Sequence, residues 1–364
     1  MTFQPRIIPR PEIESMISHG HKIFILDNSV PKADAWLPYH PGGEKSIMHM
    51  IGRDATDEIN ALHSEGARER GTGNGNGNGK EKEKRKKKST PHTPRSPNSA
   101  LKSTDLSKYP SLDPKSQDEI IFQYRQLDQK LRSEGLYNCP YSSYGIDILR
   151  YTLLFTLFWR FLQSSHYIFS ALSLGLSWHQ LVFTAHDAGH LGITHSLHLD
   201  SCIWIFIADF LGGLSIGWWK RNHNIHHIAT NSPEHDPDIA HLPFFAISPL
   251  RESFAMKMVR TTMDVECPPW MDFLHGGLQF QVAHHLFPRL PRHHLRKAQK
   301  YVREFCEDVG IPYVSFGFVR GNREVIGRLS EVAGYLRVLE ECRKVAARDL
   351  MEGHVEVTSR TRPT

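Results

Sequence analysis

The sequence predicts a small globular domain joined by a disordered linker to an α-helical membrane domain. Three observations predict this division. Residues 69–110 are low in complexity and contain a Gly-Asn repeat followed by a run of charged residues. Apolar residues concentrate between Ile146 and Trp219, although the mean hydropathy of the whole chain is −0.41. Histidine is abundant, with 23 residues, of which 14 fall between His186 and His294.

These shifts in composition divide the chain into four predicted segments. They are a globular unit at 1–68, a linker at 69–110, a membrane and histidine-rich unit at 111–335, and a charged tail at 336–364. The linker has too few apolar side chains to bury a core, so it is predicted to be disordered. Residues 115–135 have the pattern of a polar amphipathic helix.

Two apolar stretches are candidates for membrane spans. Ile146–Leu162 and Tyr167–Ala185 approach the ~20 residues that a helical span needs. The link between them is short, which predicts a helical hairpin. A third stretch, Cys202–Trp219, contains Asp209 and several glycines and is predicted to lie at the interface or against protein. The alternative for all three is a set of buried helices in a soluble protein.

Charge and cysteine content argue against several classes of protein. The formal net charge is +5, and much of the excess lies in Lys80–Lys88, a solvated linker that could touch anionic lipid. No nucleic-acid motif accompanies this run, so no nucleic-acid partner is expected. The five cysteines are scattered, which argues against a disulfide framework or zinc ribbon and fits a reducing compartment. The N-terminus has no apolar h-region, so no cleaved signal peptide is expected.

A first constellation of candidate ligands lies in the globular unit. His40 begins a His-Pro-Gly-Gly turn, and His63 follows a helix-forming stretch with apolar residues that could line a haem slot. Two imidazoles from opposite walls would fill both axial positions of a haem iron, which then carries electrons. The alternative is a surface turn and a capping histidine.

This unit resembles the cytochrome b5 haem-binding domain. The resemblance rests on His40–Gly43, Gly52–Thr56 and His63-Ser64, with Lys22–Asp27 similar to the edge strand of that family. It implies an α+β domain that binds haem b, with His40 and His63 as axial ligands. The Gly-Asn repeat begins at Gly71, earlier than the family's closing segment would end, which predicts weakened haem affinity.

A second constellation consists of three histidine clusters. The first pair has i, i+4 spacing, and the other two have i, i+3, i+4 spacing, so each cluster lies on one face of a helix. Together they supply more donors than the four of a structural zinc site, and neutral nitrogen donors suit iron. A structural origin or a zinc site is the alternative. The clusters contain His186, His190, His223, His226, His227, Gln281, His284 and His285.

This region resembles the cytochrome b5-fused, front-end branch of the membrane desaturases, in which the third cluster begins with glutamine, as Gln281 does here. The flanking residues look most like those of fungal Δ8 sphingolipid desaturases, notably Trp218–His227, Asn231–Asp238 and Leu286–Arg292. The resemblance implies that the eight cluster residues bind two non-haem iron ions. It makes His195, His235 and Asp187 plausible supporting residues, and an ordinary surface role is the alternative for the first two.

The resemblance also implies the partners of the protein. The expected substrate is a lipid, either a ceramide or an acyl lipid, and the oxidant is O2. Electrons are expected to come from NADH through a cytochrome b5 reductase and the fused haem, which the linker keeps at high local concentration. The expected location is the endoplasmic reticulum membrane, with several spans and with the haem domain and histidine clusters on the cytosolic face.

One feature argues against a working enzyme. Only 53 residues separate His227 from Gln281, where the resemblance implies a second pair of spans, and the chain is shortened near residues 248–253. Two spans need ~40 apolar residues, which this interval lacks. Three hypotheses are therefore kept: a Δ8 sphingolipid desaturase, a membrane-anchored haem electron carrier with an inactive metal site, and a front-end acyl-lipid desaturase of the Δ6 type.

Overall fold

The structure is a computed structural model. It describes five continuous stretches and five single positions of the chain. The predicted linker and most of the predicted tail lie outside the described residues. The described residues are 7–40, 42–63, 113–231, 236–237 and 253–327, together with positions 330, 334, 337, 341 and 344.

In its described residues, the N-terminal unit has three short helices and a 3-10 turn around an apolar core. The helices are α1 (Arg10–Ser18), α2 (Glu44–Met48) and α3 (Thr56–Leu62), and the turn is Leu37–Tyr39. Phe24, Leu26, Leu37, Ile47 and Met50 are buried in this core. Burial of these side chains holds the two candidate haem ligands on opposite sides of one slot.

The predicted edge strand at Lys22–Asp27 is present only as isolated bridges. Ile23 pairs with Lys32, and Leu26 pairs with Ser29 across a tight turn. Asp27 and Asn28 both have positive φ, as in a two-residue hairpin, and Pro31 has no N–H to extend the ladder. The α+β prediction therefore holds here only in this reduced form, because the hairpin is too short to form a regular strand.

The predicted amphipathic helix is confirmed as α4 (Pro114–Ser133). Asp113 caps it by accepting a hydrogen bond from the backbone N–H of Ser116 at 3.1 Å, and Pro114 takes the first helical position. Ile120, Tyr124, Leu127 and Leu131 recur at helical spacing and are all buried. This face packs onto the C-terminal helices described below, so α4 belongs to the core of the larger unit.

The two long apolar helices form the predicted antiparallel hairpin. They are α5 (Tyr141–Gln163) and α6 (Tyr167–Gly189), each of 23 residues. Among the described helices, only α6 is by itself both long and apolar enough to cross a bilayer. Its small polar residues face inward, as with Ser170, whose hydroxyl donates to the Phe158 carbonyl at 3.1 Å. Its large apolar side chains point outward, including Ile168 and Leu172.

The third apolar stretch is interrupted, in agreement with the prediction that it is not a simple span. Helix α7 (Leu197–Trp204) continues as a π-helical segment (Ile205–Leu211) and is followed by α8 (Ile216–Ile228). The chain bends by 111° between Leu197–Leu211 and Ile216–Ile228. Together these two parts are as long and apolar as a membrane span requires, as α6 is by itself. Asp209 stabilises the bend, because its carboxylate accepts the backbone N–H of Ile216 at 3.0 Å.

The C-terminal part wraps the third histidine cluster in buried side chains. It contains α9 (Phe254–Thr261), β1 (Asp264–Glu266), α10 (Asp272–His275), α11 (Gln281–Leu286), α12 (Leu295–Asp308) and β2 (Ser315–Gly317), with short 3-10 turns at Pro269–Met271 and Arg292–His294. β1 and β2 pair in parallel, with Asp264 opposite Ser315. Helix α11 is buried between α9 and α12, which fixes its position.

Candidate metal centres

The first histidine cluster lies in the last turn of α6. His186 and His190 are separated by one helical turn, and their ring centroids are 4.6 Å apart. Gly189 between them is required by packing, since a Cβ there would lie 2.3 Å from the Trp219 ring. Trp219 therefore reaches the cluster through space that a side chain at position 189 would fill.

The second cluster lies on α8. Ser215 caps this helix by accepting from the N–H of Trp218, which starts it two turns before His223. The indole of Trp219 stacks on the His223 ring with centroids 4.4 Å apart and an angle of 24°. His226 and His227 follow on the same side of the helix, so three imidazoles project from two successive turns.

The third cluster lies on α11. His284 and His285 are both buried, and α11 is held at its start by Asp264, whose carboxylate accepts the Val282 N–H at 2.9 Å. Asp264 also accepts from Gln299 at 2.8 Å. These hydrogen bonds hold α11 against α12 without the help of a bound ligand. A metal site needs ligand residues that are held in place in this way.

The structure brings all three clusters together. The ring centroids of His186 and His284 are 4.7 Å apart, and those of His226 and His285 are 4.8 Å apart. The intervening His227 is 4.5 Å from His285. Seven imidazoles from three separate helices therefore form one continuous group, as predicted from the sequence. The ligand atoms of four of them lie within 4.8 Å of one another: His186, His190, His223 and His284.

The donor set fits transition-metal ions. Burial lowers the pKa of His284 and His285 well below the usual value, so these imidazoles are neutral and can donate a lone pair. Buried polar atoms normally have partners, and orphaned ones indicate an absent ligand or water. Four buried ring nitrogens that belong to the three histidine clusters have no hydrogen-bond partner in the described part of the chain: Nδ1 of His186, Nε2 of His190, Nδ1 of His227 and Nε2 of His284.

Asp236 supports the cluster and was missed by sequence reasoning. It is 1% exposed, and its carboxylate lies 2.8 Å from Nδ1 of His226 and accepts the Asn231 N–H at 2.7 Å. A carboxylate bonded to one ring nitrogen orients a histidine so that the other nitrogen can bind metal. The acidic stretch Asn231–Asp238 was a usable signal, but it pointed to His235, which lies outside the described residues.

Asp187, which follows His186 in the sequence, lies in a buried ionic network. It accepts a hydrogen bond from the Tyr144 hydroxyl at 2.6 Å and lies 3.2 Å from Nε of Arg292. Arg292 also pairs with Asp147 on α5. The residue after His186 thus joins α6 to α5 and to the segment that follows the third cluster.

Two other predicted residues have local partners. Each ring nitrogen of His195 lies 2.6 Å from a backbone carbonyl oxygen, that of Leu191 or that of Tyr137. His195 therefore braces two loops, and neither ring nitrogen is left for the cluster. The Gln281 amide nitrogen donates to the Leu278 carbonyl at 2.5 Å, which leaves its Oε1 as the atom that could reach a metal.

The N-terminal unit presents a second candidate site. The rings of His40 and His63 face each other with centroids 5.9 Å apart. In both, Nδ1 lies close to a backbone carbonyl, that of Gly43 at 3.1 Å and that of Ile59 at 3.2 Å, so Nε2 is the nitrogen left for a metal. Burial lowers the pKa of His63 to about 4, so it is neutral near pH 7. A metal–nitrogen bond of about 2 Å fits this spacing, and the donor set suits haem iron.

Apolar side chains and helix α8 form the walls of the slot between these two histidines. Ile47, Met50 and Leu62 line it from the N-terminal unit. Asn224 and Ile228 line it from α8, the same helix that carries the second histidine cluster. The two candidate metal sites are therefore adjacent and share one helix.

Comparison with protein families decides the identity of both units. Residues 163–266 and 255–317 match the family described as fatty acid desaturase, and residues 11–93 match the cytochrome b5-like heme/steroid binding domain. A Delta 8-(E)-sphingolipid desaturase of Emericella nidulans is 37% identical over 94% of this chain and 97% of the relative. The chain belongs to the fatty acid desaturase family. This desaturase is an oxidoreductase with an N-terminal cytochrome b5-like domain, as the motifs predicted.

Other relatives of this desaturase have similar names. A Delta 8-(E)-sphingolipid desaturase of Komagataella phaffii is 32% identical over 97% of this chain and 99% of the relative. An acyl-lipid (9-3)-desaturase of Borago officinalis is 24% identical over 90% of this chain and 94% of the relative. The cytochrome b5-like match extends to residue 93, into the segment predicted as linker. No solved structure matches the chain significantly.

The desaturase is shorter than its relatives. The alignment with the Emericella nidulans protein spans 528 positions, whereas this chain has 364 residues, so a large part of the relative has no counterpart here. This agrees with the prediction that two spans are missing between the second and third clusters. In the described residues of that interval, α9 and α10 have only 8 and 4 residues, far below a membrane span.

Proposed function

We propose that this desaturase introduces the Δ8 double bond into the sphingoid base of a ceramide, with O2 as oxidant and the fused haem domain as electron donor. The observation that carries the proposal is the gathering of seven imidazoles beside a two-histidine haem slot. The Δ8 position is supported by the names of the fungal relatives. A cytochrome b5 reductase that oxidises NADH is the proposed source of electrons.

The three histidine clusters together are proposed to hold two non-haem iron ions. Their ligands are His186, His190, His223, His226, His227, Gln281, His284 and His285. Bound there, iron would supply the activation of O2 and the removal of hydrogen from carbon. The lipid loses two hydrogens from adjacent carbons, and O2, with these hydrogens, two electrons and two protons, is reduced to two molecules of water. The chain itself orients the ligands, through Asp236 on His226 and Asp264 on α11.

The proposed location is the endoplasmic reticulum membrane. The apolar outer faces of α5 and α6 would meet lipid, while their buried polar faces pack on each other. His186 lies near the C-terminal end of α6, so the cluster would sit at one membrane face, and the haem domain would sit at the same face because it packs on α8. That face is proposed to be cytosolic, where the reductase can reach the haem.

A second candidate is a membrane-anchored haem electron carrier with an inactive metal site. The shortening between the second and third clusters favours it, since lost spans remove walls from a lipid channel. A front-end acyl-lipid desaturase is the third candidate, and the Borago officinalis relative is the observation behind it. The intact histidine group favours an enzyme over a carrier.

The experiment is expression of the full chain in a eukaryotic host that makes ceramides without a Δ8 double bond. Lipid extracts are analysed by mass spectrometry for the sphingoid base and for acyl chains. The proposal predicts a new Δ8 sphingoid base that disappears in His226→Ala and in His63→Ala, whereas Arg303→Ala retains it. New double bonds in acyl chains alone would support the third candidate. Chains that hold haem and make no new double bond would support the carrier.

A further inference from the structure

The haem domain is packed directly onto the desaturase domain. Asp57 on α3 pairs with Arg125 on α4 at 2.7 Å, and Ile228 on α8 is buried in the apolar core of the haem domain. The turn that follows His40 also meets α8, because a Cβ at Gly43 would lie 3.0 Å from the Arg221 side chain. The side of the haem slot that faces the histidine cluster is thus formed by the desaturase domain.

Arg289 makes a further link between the two metal sites, in addition to helix α8. It lies four residues after His285, and its guanidinium donates to the backbone carbonyl of His63 at 3.0 Å across 226 residues of sequence. The Arg289 residue is only 7% exposed. His63 is the C-cap of α3, where backbone carbonyls lack a helical partner and a cation is favourable.

We propose that Arg289 is a positioning residue that fixes the haem ligand His63 against the segment carrying the third histidine cluster. This rests on the proposed function only in taking His63 as a haem ligand. The hydrogen bond restrains the backbone from which the imidazole projects, so it sets the orientation of the ring at the iron. The guanidinium also places a positive charge beside His63. That charge would favour the reduced state of a bound haem, because ferrous iron carries less positive charge than ferric iron.

The two effects of Arg289 can be separated by substitution. Arg289→Gln keeps a hydrogen-bond donor for the His63 carbonyl and removes the charge, and Arg289→Lys keeps the charge with a different donor geometry. Arg289→Ala removes both. Arg303→Ala is the matched control, since Arg303 is an arginine on α12 that pairs with Glu266 and lies outside the haem interface.

The experiment uses the purified full chain loaded with haem. Electron paramagnetic resonance of the ferric state reports the ligand orientation, and a redox titration reports the midpoint potential. Arg289→Ala is expected to change the low-spin signal and to shift the oxidation equilibrium about tenfold toward ferric haem, which is about 59 mV. Arg289→Gln should recover the signal and keep the lower potential, whereas Arg289→Lys should recover the potential.

The inference is overturned if Arg289→Ala has the same signal and potential as Arg303→Ala. It is also overturned if Arg289→Gln and Arg289→Lys both match the parent chain while Arg289→Ala only misfolds and loses haem. These readouts need no turnover, so they are independent of lipid desaturation. A chain that binds haem and shows the Arg289 effect without making a Δ8 product would refute the proposed activity alone. Normal product formation with an unchanged haem in Arg289→Ala would refute the positioning role alone.

Discussion

Removal of the Asp236 carboxylate tests whether the histidine group, the seven imidazoles of the three clusters, is a metal site and whether Asp236 orients one of its ligands. The carboxylate is almost completely buried, lies 2.8 Å from Nδ1 of His226 and accepts the Asn231 N–H at 2.7 Å. Loss of such a supporting partner typically lowers metal affinity 10- to 100-fold, or about 1.4–2.7 kcal/mol. Asp236→Asn retains one carbonyl oxygen, so we expect about tenfold from it and closer to a hundredfold from Asp236→Ala.

The assay measures non-haem iron that is retained during titration with an iron chelator, with haem in the same sample as internal reference. Asp272→Asn is the matched control, because Asp272 pairs with Arg296 and has no contact with the histidine group among the described residues. Both Asp236 variants should lose iron at lower chelator concentration than the control. Equal retention in all three proteins would refute a supporting role for Asp236.

Three further predictions concern packing, docking and pH. Gly189→Ala would push a Cβ into the Trp219 ring; we expect a loss of about 1–3 kcal/mol in unfolding free energy and weaker iron retention, and unchanged thermal unfolding would contradict this. Arg125→Asp should weaken haem-domain docking, seen as faster exchange of α3 amides, and the added Asp57→Arg should restore protection; no recovery in the double variant would remove the ion pair as a cause. In the haem-free chain, the pKa of His63 is lowered to about 4, so the unfolded state binds more protons than the folded state between about pH 4 and 6.5. The free energy of unfolding should therefore fall as pH falls through this window, by at most about 3 kcal/mol. His63→Gln should flatten this pH dependence in urea titrations, and an unchanged slope in that variant would contradict the prediction.

The histidine group could be predicted from the sequence because its spacing is local. Residues three and four apart share a helix face, so His223, His226 and His227 had to project together wherever α8 formed. A single site shared by the three helix faces was then the simplest explanation for so many imidazoles. The same holds for His40 and His63, whose flanking turn and apolar residues have a distinctive pattern.

The supporting contacts could not be predicted, because they join residues that are distant in sequence. Arg289 and His63 are 226 positions apart, and no periodicity relates them. Asp236 is only ten residues from His226, but its role depends on how the chain turns back after α8. The contribution of Ile228 to the haem-domain core likewise exists only once the two domains are packed together.

Helix boundaries were predicted better than membrane behaviour or strands. The first apolar stretch forms α5, but Asp147, Arg150 and Arg160 reduce its apolarity, so it does not qualify as a span by length and composition in the way that α6 does. These charges are accommodated because Asp147 pairs with Arg150 and with the distant Arg292. The predicted edge strand is reduced to isolated bridges for a local reason: Pro31 has no N–H, so it cannot complete the ladder, which continues with the Ala33 N–H donating to the Lys22 carbonyl.

The ratio of non-haem iron to haem in the purified full chain tests the central claim most directly. Seven clustered imidazoles beside a haem slot predict two non-haem irons for each haem, and a fall in non-haem iron with haem retained in His285→Ala. Haem without any non-haem iron in the parent chain, after expression with iron supplied, would contradict the claim that the histidine group is an iron site.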